Sequence, residues 1–310
     1  MVEVPTYQHK LDDNHVLNAY SIDPSIGSQE LESLVRDNDG IGNDPDKAKE
    51  ISLVRKFDSF DDFDFVVVEG RYEVPEQLRA FREAIGKEYD NKGRYNGPVA
   101  IVDGSVELPL KLKQGGFYDY AATKLGAIPA ELLPDSYPAD KANGELFEEW
   151  GIPNDERAKY LGHAYLMLTN NGKELTLVQR AKGMAVAGDC MGVAGSTPNP
   201  NFSEHGFDYV NYVKGHVNDE MMEEFKLGPD DFSVSGIYLF NDKRNMPFCA
   251  LEINTSLSGE DLASRIHGDP GAIKEHPVIY SIDSSYAREF VNRFPVFESI
   301  VSMLQSLGKN

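Results

Sequence analysis

Four carboxylates crowd into six residues at Asp219, Glu220, Glu223 and Glu224, within the run Asp-Glu-Met-Met-Glu-Glu-Phe-Lys-Leu that ends at Leu227. An ordinary amphipathic helix intersperses lysines at i+4; this one does not. At about 100° per residue, Glu220, Glu223 and Glu224 fall at roughly 40°, −20° and 80° from His216, so the four side chains share a face. Like charges at such spacing repel by a few tenths of a kcal/mol per pair. Three glutamates on one face therefore invite a counter-cation, and oxygen-only ligation suits Mg²⁺ or Mn²⁺ rather than zinc. The same run also reads as a solvated acidic face in a very acidic protein.

Cations that could meet an anionic ligand are fewer. Arg180 and Lys182 follow an apolar stretch, Leu175 to Val178, and enter a small-residue loop containing Gly192 and Gly195. The two basic groups suit phosphate contact or pairing with nearby acid. The glycines suit either a tight turn or close approach of backbone to a ligand, and Gly195 is the preferred ligand-binding candidate. Further carboxylates available as a general base are Glu204, Asp208 and Glu252. His216 reads as a partner of Glu220 or as packing, and Tyr118 and Tyr120 as stacking platforms or, preferably, core.

These groups need a scaffold, and the pattern predicts one. His163 to Thr169 and Glu174 to Gln179 flank Asn170-Asn171-Gly172, a strong hairpin signal. A helix is expected from Asp208 to Lys226, strands at Val234 to Phe240, Phe248 to Ile253 and Val278 to Tyr280, and a terminal helix over Phe290 to Leu307 broken at Pro295. Upstream, strands are expected at Phe65 to Val68, Pro98 to Val102 and Val106 to Leu112, with helices at Pro75 to Tyr89 and Phe117 to Leu125. An amphipathic stretch, Gln29 to Arg36, stands alone near the start, and Pro129 to Asn154 reads as a connector. The expected class is α/β: a sandwich with a mixed sheet over residues 156–310, preceded by an α+β accessory region over 1–155.

Composition excludes several functions. With 51 acidic against 30 basic side chains and a formal net charge of −21, the surface repels phosphate backbones and anionic lipid, so neither nucleic acid nor membrane is an expected partner. No apolar run approaches the roughly 20 residues that span a bilayer. Two cysteines, Cys190 and Cys249, make no disulfide scaffold and have no metal-ligand spacing. A cytoplasmic protein is expected, of undetermined oligomeric state.

The carboxylate run and its surroundings resemble the Nudix hydrolase family, whose box reads Gly-x5-Glu-x7-Arg-Glu-U-x-Glu-Glu-x-Gly-U, with U aliphatic. Glu220-Met221, Glu223-Glu224 and Leu227 fall on the Glu-U, Glu-Glu and final U positions. Asp219 replaces the arginine, Lys226 the glycine and Asn211 the upstream glutamate, and Gly195 matches the leading glycine only across an insertion of about eleven residues. The order hairpin, Arg180, small-residue loop, helix, two strands and terminal helix is also that of the family. The N-terminal half is similar to the accessory region of the branch that cleaves UDP-glucose and related UDP-sugars. The resemblance implies a Nudix-like α/β/α sandwich and a Mg²⁺- or Mn²⁺-dependent pyrophosphohydrolase acting on a nucleoside diphosphate linked to another moiety. Glu220, Glu223 and Glu224 would be its metal and catalytic residues, and Arg180, Lys182 and Gly195 would meet substrate. The alternative is a catalytically impaired Nudix-fold protein that binds a nucleotide or partner, which Asp219 favours because it adds repulsion where the family has an ion pair. Isomerase chemistry on a prenyl diphosphate finds no matching cysteine environment at Cys190 or Cys249.

Overall fold

Asn170, Asn171 and Gly172 all adopt positive φ, at 52°, 56° and 83°, the backbone that a tight reversal between two strands demands and that Asn and Gly tolerate best. They join two antiparallel strands of a large mixed sheet. The computed structural model describes residues 4–43, 51–91, 96–123, 147–153, 156–181, 191–198, 200, 202, 207–242, 246–296, 301, 303 and 304. Lys182, Cys190 and Glu204 lie outside these residues, as does most of the connector expected over 129–154.

In chain order the elements are β1 (Thr6–Lys10), β2 (Val16–Ser21), α1 (Ser28–Asn38), β3 (Ile51–Phe57), β4 (Phe65–Arg71), α2 (Arg79–Asn91), β5 (Pro98–Val102), β6 (Leu110–Gly116) and α3 (Phe117–Thr123). The second half adds β7 (Lys159–Tyr160), β8 (Gly162–Thr169), β9 (Glu174–Gln179), β10 (Met191–Gly192), β11 (Ala194–Ser196), α4 (Tyr209–Phe225), β12 (Phe232–Asp242) and β13 (Pro247–Thr255). It closes with α5 (Gly259–Ile266), α6 (Pro270–Glu275), β14 (Val278–Asp283) and α7 (Ala287–Arg293). The third upstream strand begins at Leu110 rather than Val106, and α7 stops before Pro295, whose ring cannot continue it, while Val301, Met303 and Leu304 beyond the break are again helical.

The larger sheet runs β1-β2-β14-β9-β8-β13-β12-β3. Pairing is antiparallel except between β13 and β8, so the sheet is mixed, as expected. Beyond the hairpin, β8 and β9 part: β11 takes up the free edge of β8, and β10 that of β9. A smaller sheet, β4-β6-β5-β7, holds the remaining described strands. The expected division near residue 155 does not follow the strand pairing. β1 and β2 extend the large sheet beyond β14, and β3 flanks β12, so three N-terminal strands belong to the same sheet as the hairpin.

Side chains on alternate positions build two cores. One face of the large sheet (Tyr165, Met167, Val178, Leu251, Ile253) packs with Val213, Val217 and Met221 of α4, with Leu262 and Ile266 of α5, and with Ala100 and Leu112 of the small sheet. The opposite face (Leu166, Leu177, Ala250, Tyr280) covers Leu31 and Val35 of α1 and Phe290 of α7. Each fully buried aliphatic or aromatic group contributes about 1.5–3 kcal/mol. The result is an α/β/α sandwich with a mixed sheet.

Candidate functional site

The position of α4 decides which carboxylates meet. Val213, Val217 and Met221 mark its buried stripe, and they fall at roughly 60°, 100° and 140° from His216. Glu224, at roughly 80°, lies in the middle of that stripe and is drawn inside, with 5% of its surface exposed. Glu220 stands on the flank, its side chain 20% exposed. Glu223, at roughly −20°, points outward and is exposed. The three glutamates thus share a side of the helix but not an environment: Glu220 and Glu224 converge, while Glu223 adds only its field to Glu220.

Both ends of α4 are held. Asp208 caps the N-terminus by accepting from the Asn211 amide at 3.0 Å. At the C-terminus Lys226 adopts φ 56°, and the Leu227 amide reaches back to the Met221 carbonyl at 3.0 Å. This left-handed residue is where the box has glycine; the lysine keeps the backbone turn and adds an ion pair with Asp269 at 3.1 Å.

Two segments converge on Glu224. The chain leaving β9 passes the end of α6, where the Ala181 amide donates to the Glu275 carbonyl at 2.8 Å. His276, fully buried, places Nε2 2.9 Å from Glu224 Oε2. Glu224, Glu275 and His276 each offer a ligand atom, and these atoms lie within 4.8 Å of one another. Arg180, at the exit of β9, lies near enough to lower the pKa of both Glu224 and His276 by its charge. Its buried Nε has no partner among the described residues, and neither has His276 Nδ1.

Electrostatics follow from that crowding. Glu220 is pushed up to about 8 by burial first and then by the charge of Glu224. Glu224 is likewise pushed up to about 8, by burial and then by Glu275. His276 is lowered to about 4, chiefly by burial with the Arg180 charge second, so its imidazole is neutral. The pocket is a set of carboxylates and one neutral imidazole, matched by one guanidinium. Such a set fits a divalent cation on one side and an anionic group at Arg180 on the other.

A polar chain ties the helix to the sheet. Tyr165 Oη meets Ser196 Oγ at 2.6 Å, Ser196 Oγ meets His216 Nε2 at 2.8 Å, and His216 Nε2 stands 3.5 Å from Glu220 Oε1. Gly195, next to Ser196, pairs with Ala164, and a Cβ there would come 2.7 Å from the His163 carbonyl oxygen. Its lack of a side chain serves this close strand pairing, which seats Ser196.

Other candidates fall elsewhere. Glu252 alternates with Leu251 and Ile253, which face α4, so it lies on the opposite face, bonded to Ser235 and to Tyr238 at 3.1 Å. Asp208 is spent on capping. Tyr118 and Tyr120 are buried. Glu275, His276 and Ser196 were not singled out from sequence; the Glu275-His276-Pro277 triplet just before an apolar strand was the available signal.

No family model matches the chain, and no curated protein matches it. Solved structures to which it is similar include Shewanella oneidensis NrtR complexed with a 27mer DNA, at 12% identity and TM-score 0.30 over 47% of this chain and 58% of that one. The match therefore spans less than two thirds of NrtR. The MutT protein from Methanosarcina mazei Go1 is similar at 15% identity and TM-score 0.32, over 48% of this chain and 95% of that one. DR0079 from Deinococcus radiodurans is similar at 10% identity and TM-score 0.37, over 68% and 99%.

Proposed function

We propose that the chain is a Nudix-type pyrophosphohydrolase that uses Mg²⁺ or Mn²⁺ to cleave a nucleoside diphosphate linked to another moiety, with a nucleotide sugar such as UDP-glucose the favoured substrate. The observation that carries this reading is that ligand atoms of Glu224, Glu275 and His276 lie within 4.8 Å of one another, with Glu220 and Arg180 near enough for their charges to be felt there. Holding carboxylates together against their repulsion is wasteful for a fold and useful for a cation. A bound divalent ion would neutralise diphosphate charge and lower the pKa of attacking water.

The chain's own groups then have distinct tasks. Glu220 and Glu224 would hold the ion, Glu223 would reach it from the solvent side, and His216 would keep Glu220 in place through Ser196. Arg180 would bind a phosphate oxygen, with Lys182 close in sequence. All of these lie within 156–310, so we assign the chemistry to that part and a supporting role to residues 1–155. No described helix is long and apolar enough to cross a membrane; the low cysteine content suits a cytoplasmic enzyme.

A second reading, a nucleotide- or partner-binding protein without hydrolysis, is favoured by Asp219, which is exposed and brings a further negative charge beside Glu220 and Glu223. One panel separates the two: UDP-sugars, ADP-ribose, dinucleoside polyphosphates and coenzyme A, with and without Mg²⁺. Metal-dependent turnover of one class, lowered about a hundredfold or more in Glu224→Gln, supports hydrolysis. No turnover of any compound, with ligand binding equal in parent and Glu variants, overturns it.

A further inference from the structure

We propose that Glu275, the last residue of α6, and His276, which caps that helix, complete with Glu224 a mixed nitrogen and oxygen site that prefers a first-row transition ion such as Mn²⁺ or Co²⁺ to Mg²⁺. This rests on the metal-dependent reading of the same pocket and adds a ligand that the box carboxylates do not supply.

Three observations converge. The donor atoms of Glu224, Glu275 and His276 lie within 4.8 Å of one another, although Glu224 comes from α4 and the other two from the end of α6, with 52 positions between Glu224 and His276. The imidazole is set in advance: His276 has 0% exposure, its amide donates to the Ala272 carbonyl at 2.7 Å, and its ring lies nearly parallel to that of Phe225 at 6.1 Å. Finally, Arg180, whose charge acts on both Glu224 and His276, has a buried Nε–H with no partner among the described residues, and a guanidinium N–H suits the anionic group that accompanies a bound metal ion.

The Nε2 to Oε2 separation of 2.9 Å fits either a proton or a metal. Two neighbouring donors about 2.1 Å from an octahedral ion stand about 3 Å apart, so exchanging the shared proton for an ion demands little movement. The donor type sets the preference. Mg²⁺ favours oxygen and gives up its waters reluctantly, whereas affinity for a nitrogen-containing site rises along the first-row ions from Mn²⁺ to Co²⁺ and beyond, and Mn²⁺ combines carboxylate ligation with tolerance of one imidazole. Glu224 and Glu275 supply the charge, and His276 supplies the selectivity.

The test uses the full chain stripped of metal by chelation. Calorimetric titration with Mn²⁺, Co²⁺ and Mg²⁺ compares the parent with His276→Gln, Glu275→Gln and the double variant Glu220→Gln/Glu224→Gln, and pulsed EPR of the Mn²⁺-loaded parent looks for nitrogen coupling. The expected result is Mn²⁺ binding about tenfold tighter than Mg²⁺, clear nitrogen coupling, and a loss of about tenfold or more in Mn²⁺ affinity for His276→Gln with Mg²⁺ affinity nearly kept. Mn²⁺ bound to the parent without nitrogen coupling overturns the imidazole ligand, and that measurement needs no variant to fold. Equal losses for both ions in His276→Gln likewise overturn the preference. If the double glutamate variant binds every ion as the parent does, the metal-dependent reading falls as well; if only that variant loses binding, the failure is confined to His276.

Discussion

Glu220 and Glu224, one turn apart on α4, share a hydrogen bond inside a pocket that also holds Glu275. A bond between two carboxyl groups needs a proton, and burial, followed for Glu220 by the charge of Glu224 and for Glu224 by that of Glu275, keeps protons there, raising each group to about 8 from an ordinary 4.5. In the unfolded chain both titrate near 4.5. Between about pH 4.5 and 8 the folded protein therefore holds more protons than the unfolded one, and stability falls as pH rises. Glu224→Gln removes that liability while keeping a polar group for His276. In chelator its melting temperature is expected to exceed the parent's by a few degrees at pH 8, a gain on the order of 1–3 kcal/mol, and the difference should shrink towards pH 5. Thermal melts at pH 5, 6.5 and 8 check this; a gain independent of pH would contradict it. Adding Mn²⁺ should reverse the order by stabilising the parent alone.

How much of this was legible in the sequence depends on how local the signal was. The Asn170-Asn171-Gly172 turn and the carboxylate helix are encoded in short windows, and both stand as read. Burial within the helix was also legible in part, since the Val213, Val217 and Met221 stripe singles out Glu224 from Glu223 once all are placed on one wheel. The sharing of β1, β2 and β3 with the large sheet was not, because pairing such as Ile279 with Tyr20 spans more than 250 residues and leaves no periodicity. The same holds for His276. Its role follows from where α6 ends against α4, a contact that no motif announces.

His163 sits at 5% exposure with both ring nitrogens unpartnered among the described residues, and burial, followed by the nearby His216, holds its pKa down to about 3. The unfolded chain takes up a proton near pH 6.5 that the folded chain refuses. Stability is therefore complete above pH 6.5 and falls as pH drops towards 3, by about 1.4 kcal/mol per unit for one such group. His163→Leu replaces an unsatisfied polar ring by an apolar group of similar size. It is expected to be as stable as the parent at pH 7 and to lose less stability, by about one proton's worth, between pH 6.5 and 5. Urea titrations at three pH values measure the slope, and parallel slopes would refute the assignment.

Arg293, at the end of α7, clasps Asp39 through Nη2 at 2.7 Å and through Nε, and donates from Nη1 to the Leu11 carbonyl. His9 reaches the same carboxylate at 2.7 Å. The bidentate pair is the main cause holding Asp39 at about 2. It ties the C-cap of α1 to the end of α7. Arg293→Ala is expected to cost about 2 kcal/mol, and Arg293→Lys less, because a lysine keeps the charge but not the fork. Asp39 is depressed below its unfolded 3.8, so the contribution is present above that pH and disappears as pH falls through 2. Equal urea midpoints for parent and Arg293→Ala at pH 7 would remove the clasp from the account.

Two glycines near the candidate site should respond in opposite directions to the same change. Gly215, in the middle of α4, has nothing within 4 Å of an added Cβ, so its only effects are backbone freedom and helix propensity. Gly215→Ala should stabilise by about 0.5–1 kcal/mol. Gly195 lies in β11, where the added Cβ would stand 2.7 Å from the His163 carbonyl oxygen, and backbone cannot swing away as a flexible side chain can. Gly195→Ala should cost on the order of 1–3 kcal/mol by forcing β11 off β8. The strand shift carries Ser196 away from Tyr165 and His216, whose contacts at 2.6 and 2.8 Å leave no slack. Loss of the His216 anchor should then loosen Glu220, so Gly195→Ala is expected to weaken Mn²⁺ binding by several-fold while Gly215→Ala leaves it unchanged. Melting curves and Mn²⁺ titrations of the two variants side by side decide the matter. If Gly195→Ala is destabilised yet binds Mn²⁺ as the parent does, the glycine serves the strand pairing alone, and the route from Ser196 through His216 to Glu220 carries no positional information to the site.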